Sequence, residues 1–188
     1  MVITGFFILT FMQMFISYLE EFVIDPNNKL SGRNSPSNIF LVIYMILEYS
    51  MYTYLLLLFI NSELIKKYLK ISMIIFLLIV NIFWFSQLSF VRTFSMISLT
   101  QSVFLLLPAF YYFYEILNAP PVLELSQEPS FWIVTGIVFL QICLIPIYIG
   151  LVTINKIIPI QSLDYLGYII LIILFLKGIS CKTVKTGL

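Results

Sequence analysis

Residues 39–60 read IFLVIYMILEYSMYTYLLLLFI, an apolar run whose one charged side chain is Glu48. A helix needs about 20 mostly apolar residues to cross roughly 30 Å of hydrocarbon, and this run meets that length. Working outward from it, residues 2–19, 69–90, 94–117, 131–151 and 157–179 have the same character. Together they predict an all-α fold: a polytopic transmembrane helical bundle of about six spans with short loops. The whole chain, 1–188, then forms a single integral membrane domain.

Composition points the same way. Hydrophobic residues make up 61% of the chain and charged residues only 10%, with a mean hydropathy of +1.06. Soluble domains carry roughly 25% charged residues, so a chain this apolar cannot cover its own surface with polar groups. The net charge of +1 leaves no electrostatic footprint for nucleic acid. The chain has no histidine, which removes the usual general base at neutral pH and the commonest metal ligand together. There is also no Gly-rich phosphate loop, no paired-carboxylate metal motif and no nucleophile with a nearby base. The expectation is a non-enzymatic protein without cofactor or metal.

The connections are too short to house a soluble domain. Residues 20–38 hold Asp25-Pro26-Asn27-Asn28 and Ser31-Gly32-Arg33-Asn34-Ser35-Pro36, which are turn and breaker residues. Val91-Arg92-Thr93 is read as a tight reversal between the third and fourth spans. Pro120, Pro121 and Pro129 punctuate the next loop, where Ser130 is suited to cap the fifth helix. The first span has no basic n-region or small-residue cleavage site, so a signal peptide is not expected; a helix starting at residue 2 leaves room for another upstream. Basic residues set orientation. One face collects Lys66, Lys67, Lys70, Lys177, Lys182 and Lys185; the other collects Lys29, Arg33, Arg92 and Lys156. This bias places both termini in the cytoplasm, at a bacterial inner membrane. Cys143 lies deep in the fifth span and Cys181 beyond the sixth, too far apart for a disulfide.

Polar residues inside the spans are the candidate sites, because each is costly in hydrocarbon. Glu48 leads. Tyr44 and Tyr52 flank it at four-residue spacing on one helix face, so its carboxyl can exchange hydrogen bonds with a tyrosine hydroxyl. The functional reading is a proton or cation site; the structural reading is an interhelical bond that fixes packing. The fourth span has a one-sided polar face made of Ser95, Ser98, Gln101, Ser102, Ala109, Tyr112 and Glu115, with Pro108 on the same side. It either lines a watery path or forms a close helix contact through Ser98 and Ser102. Glu115, near the span end, is expected to reach interfacial water. Gln141 and Pro146 mark the fifth span, where proline frees a carbonyl. Asn81 is expected to bond another helix. Asp164 complements the N-terminus of the sixth helix, and Trp84 and Trp132 read as interfacial anchors.

Leu47-Glu48-Tyr49, Tyr111-Tyr112-Phe113-Tyr114-Glu115 and Glu128-Pro129-Ser130-Phe131-Trp132 with Gly136 resemble a group of small uncharacterised bacterial multi-pass membrane proteins. The resemblance covers roughly residues 38–140. Its helical bundle is similar to the membrane-embedded input modules of sensor proteins, although no transmitter domain follows in this chain. It implies the topology and carries no activity.

Two functions follow as expectations. One is a non-enzymatic multi-pass membrane module, a sensor, anchor or accessory subunit that binds a partner membrane protein, lipid or a second copy. The other is a small transporter, channel or membrane-perforating effector using Glu48, Gln141 and the polar face of the fourth helix. An intramembrane lipid-modifying enzyme ranks third, disfavoured by the lack of histidine and of a metal motif.

Overall fold

A computed structural model describes residues 36–85, 90–118, 125–154 and 161–181. These form five α-helices and one short 3-10 turn, with no strand among the described residues. The helices are α1 (Pro36–Phe59), α2 (Glu63–Phe85), α3 (Phe90–Asn118), α4 (Pro129–Ile154) and α5 (Gln161–Ser180), and the turn is Leu125–Gln127. Four of them, over Leu41–Phe59, Glu63–Phe85, Arg92–Asn118 and Pro129–Thr153, are long and apolar enough to cross a membrane. That fits an integral membrane protein. In α5 the apolar part is shorter, Leu166–Ser180. The expected span at 2–19 lies outside the described residues.

Two boundaries differ from the sequence reading, each for a local reason. The helix expected from residue 69 begins at Glu63. Glu63 bonds Lys66 at 2.9 Å one turn on, and Ser62 accepts the Lys66 amide through its carbonyl, so the lysine-rich turn is helical rather than loop. The reversal expected at Val91-Arg92-Thr93 is also helix, because α3 begins at Phe90. Those three residues include no glycine or proline to break it.

Neighbouring helices pack in sequence, and α3 touches α1, α2 and α4. The tightest pair is α4 with α5, brought close by glycine. A Cβ built on Gly178 would lie 2.9 Å from the Pro129 carbonyl oxygen, and one on Gly136 would lie 3.1 Å from Leu171 and 3.3 Å from Phe175. Small residues allow such approach where lipid gives no hydrophobic drive to association. Lys177 in the last turn of α5 sits 5.8 Å from the Trp132 ring centroid, a cation–π contact at the same end of the pair. The coverage of α2 is much poorer. Only 22% of its span is buried, against 50% for α1 and α3 and 56% for α4. Leu64, Ile74, Leu78, Ile82 and Phe85 are exposed along it. Neither Cys143 nor Cys181 forms a disulfide.

Candidate functional site

Helical spacing puts Tyr44, Glu48 and Tyr52 on one face of α1, and all three are buried. The Tyr52 hydroxyl donates to Glu48 Oε1 at 3.2 Å, as its four-residue spacing implies. Two further donors come from other helices. Tyr168 of α5 donates to the same oxygen at 3.0 Å, and Gln101 of α3 donates through Nε2 to Oε2 at 3.2 Å. One carboxyl group therefore ties α1, α3 and α5 together. A carboxylate accepts several such bonds at once, and each bond answers part of the cost of placing it among apolar residues.

Next to this group, Ser102 of α3 donates to Gln141 Oε1 of α4 at 2.7 Å, linking two further buried side chains. Gln141 Nε2 is buried and has no hydrogen-bond partner. Glu48, Gln101, Ser98, Ser102, Gln141 and Tyr168 surround a small cavity, with Tyr44, Phe94 and Tyr148 also in its wall. The volume open to a water molecule is about 10 Å³, on the order of what one water requires. The rings of Phe94 and Tyr148 meet edge to face at 5.9 Å on the side nearer the start of α3.

The polar face of α3 is buried as expected from Ser95 to Tyr112, but it is not continuous. Below Ser102 it gives way to Leu105 and Ala109, both fully buried, with Leu55, Leu56 and Ile137 from the neighbouring helices also in the core. Tyr112 belongs to a second, separate network. Its hydroxyl donates to Ser130 Oγ at 2.8 Å, and Ser130 Oγ donates to Glu128 at 2.9 Å. The rise from Ser102 to Tyr112 is about 15 Å at about 1.5 Å per residue.

Several expectations are corrected at this level. Asn81 does not join the cluster. It is exposed on the poorly covered α2 and donates to the Leu77 carbonyl of its own helix at 2.8 Å, a local bond that satisfies a polar side chain without a second helix. Glu115, half-buried at the end of α3, has partners that its sequence position does not announce. Its two oxygens accept the backbone amides of Asn61 and Ser62 at 3.0 Å each, satisfying donors at the start of α2 that lack a helical partner. Ser130 does not precede the helix as its cap. Pro129 is the first helical residue, as proline's fixed φ favours, and Ser130 inside the first turn bridges Tyr112 and Glu128 instead. Pro146 is exposed, away from the cluster. Asp164 lies in α5. Sequence reasoning missed Tyr168 as a Glu48 donor, and also the bond of Tyr49 to Ser72 at 2.7 Å that joins α1 to α2. For the second bond the signal was Ser72, a hydroxyl in the middle of the apolar α2.

The described residues define an all-helical protein with four helices long and apolar enough to cross a membrane. No protein family, curated protein or solved structure matches the chain, so the particular protein is described by its own geometry.

Proposed function

We propose that the chain is a non-enzymatic multi-pass membrane module, a sensor, anchor or accessory subunit that acts by binding a partner membrane protein or lipid. In this reading it has six spans, with the run at 2–19 and the α5 segment completing the set. Both termini face the cytoplasm of a bacterial inner membrane. The observation that carries the proposal is the break in the polar interior. The Glu48 cluster is followed along α3 by buried Leu105 and Ala109 before polar residues resume at Tyr112, so the polar side chains of α3 form two separate groups rather than a path; the buried Tyr49–Ser72 pair lies apart from both, between α1 and α2. Glu48 itself has donors from three helices, which suits a packing role. The exposed flank of α2 is the face with most room for a partner helix.

One observation favours a small transporter, channel or membrane-perforating effector as the second reading: the cavity beside Glu48, with the unpartnered Gln141 amide in its wall. Flux into proteoliposomes separates the two. Under imposed proton, sodium and potassium gradients, the module reading expects wild type and Glu48→Gln to match protein-free vesicles. A flux that wild type supports and Glu48→Gln abolishes would transfer the site to transport.

A further inference from the structure

The side chain of Gln141 poses a specific problem. It is 1% exposed, and its oxygen is fixed by the 2.7 Å bond from Ser102. That bond sets the amide plane, and Nε2 is left buried without an acceptor. A buried amide N–H with no partner costs about 1–3 kcal/mol, so native proteins pair such groups with protein or with ordered water. Gln141 lines the cavity that also touches Glu48 and Ser98.

We propose that this cavity is a binding site for one water molecule, which accepts a hydrogen bond from Gln141 Nε2 and donates to the oxygens of Glu48 and Ser98. Three features select that guest. The volume of about 10 Å³ admits one water and excludes any larger organic ligand. The orphaned group is a donor, so the guest must accept, which a metal cation or ammonium cannot do. The lining also supplies the Glu48 carboxyl oxygens, which call for a guest that donates, and a halide cannot do so. Water does both and finds the two or more polar partners that a buried water needs.

The water has a structural consequence that the direct bonds lack. Glu48 binds α3 and α5 directly, and Gln141 binds α3 through Ser102. The water joins α1 to α4 across the centre and merges the two hydrogen-bonded groups into one. This goes beyond the module reading and is independent of whether the chain conducts ions.

The test is proton-detected solid-state NMR on the full-length, isotopically labelled chain in lipid bilayers, following magnetisation transfer from water. The Gln141 side-chain amide is expected to gain water signal several-fold faster than the backbone amides of Leu105 and Ala109 in the dry layer. In Gln141→Leu, the Glu48 carboxyl carbon is expected to shift while Tyr112 and Ser130 stay in place. A Gln141 amide as dry as Ala109 overturns the proposal in the wild-type protein alone, without reliance on a variant. Replacing sodium by choline at matched ionic strength is expected to change nothing at Gln141, Ser98 or Glu48. Sodium-dependent shifts at these three residues would show a cation in the cavity and overturn it as well. The flux measurement is unaffected by either result, so failure here and failure of the module reading are distinguishable.

Discussion

Replacing Glu48 by leucine or by glutamine separates its hydrogen-bonding role from its charge. Leucine removes the acceptor for Tyr52, Tyr168 and Gln101 together. Hydrogen bonds between membrane helices average about 0.6 kcal/mol and reach about 1.7 kcal/mol, so three of them amount to roughly 2–5 kcal/mol. A sequence reading that gives Glu48 one partner predicts only about 1–2 kcal/mol. Glutamine behaves differently. Tyr52 and Tyr168 share Oε1, which an amide oxygen can replace, and only the Gln101 contact becomes donor against donor. Rotating the Gln101 amide by a half turn restores it, since each amide has both donor and acceptor. Glu48→Gln is therefore expected to cost about 0–1 kcal/mol, the scale of one perturbed membrane hydrogen bond. Reversible unfolding in mixed lipid–detergent micelles, followed by circular dichroism, gives both values. Equal destabilisation by leucine and glutamine would refute the argument, because it would mean that charge rather than hydrogen bonding holds the cluster together.

Glu115→Ala exposes the amides of Asn61 and Ser62 and is expected to cost about 1–3 kcal/mol for two bonds to a charged acceptor; hydrogen exchange at these two amides should accelerate while that at Leu69 does not. Gly178→Ala should destabilise the α4–α5 pair even though alanine ordinarily favours a helix over glycine by about 0.5–1 kcal/mol, because the added Cβ falls 2.9 Å from a backbone oxygen that cannot rotate away. A stabilised Gly178→Ala protein would show that the two helices part easily. For the six-span topology, single cysteines at Lys67 and Lys182 should label from one side of the membrane and those at Arg33 and Lys156 from the other; labelling of all four from one side would eliminate it.

Much of the helical layout is legible in the sequence, because the cost of exposing backbone polar groups to lipid forces apolar stretches into helices. The Glu48–Tyr52 bond is legible too, since partners four residues apart on a helix must be neighbours. Partners on other helices are not. Tyr168 is separated from Glu48 by most of the bundle's sequence, and nothing local to α5 distinguishes it from the interfacial tyrosines. Glu115 reads as a rim carboxylate in the sequence because its donors are backbone amides, which have no residue type to read. The cost of its polarity alone points Asn81 inward; a bond to the Leu77 carbonyl of its own helix lowers that cost locally. The start of α3 is hidden in the sequence for a further reason. Arg92 interrupts the apolar pattern as a loop residue would, yet a long side chain near a helix end can reach water without breaking the helix.

The central claim is that the polar face of α3 is interrupted at the layer of Leu105 and Ala109. Thiol accessibility tests it most directly. In a chain whose Cys143 and Cys181 are replaced by serine, single cysteines at Ser98, Leu105 and Ala109 are exposed in bilayers to a small, charged, membrane-impermeant thiol reagent from each side in turn. Cysteines at Leu105 and Ala109 are expected to stay unmodified from both sides, whatever the reactivity at Ser98. Modification of all three from one side, at rates that fall smoothly with depth, would reveal a water path through the layer and contradict the account.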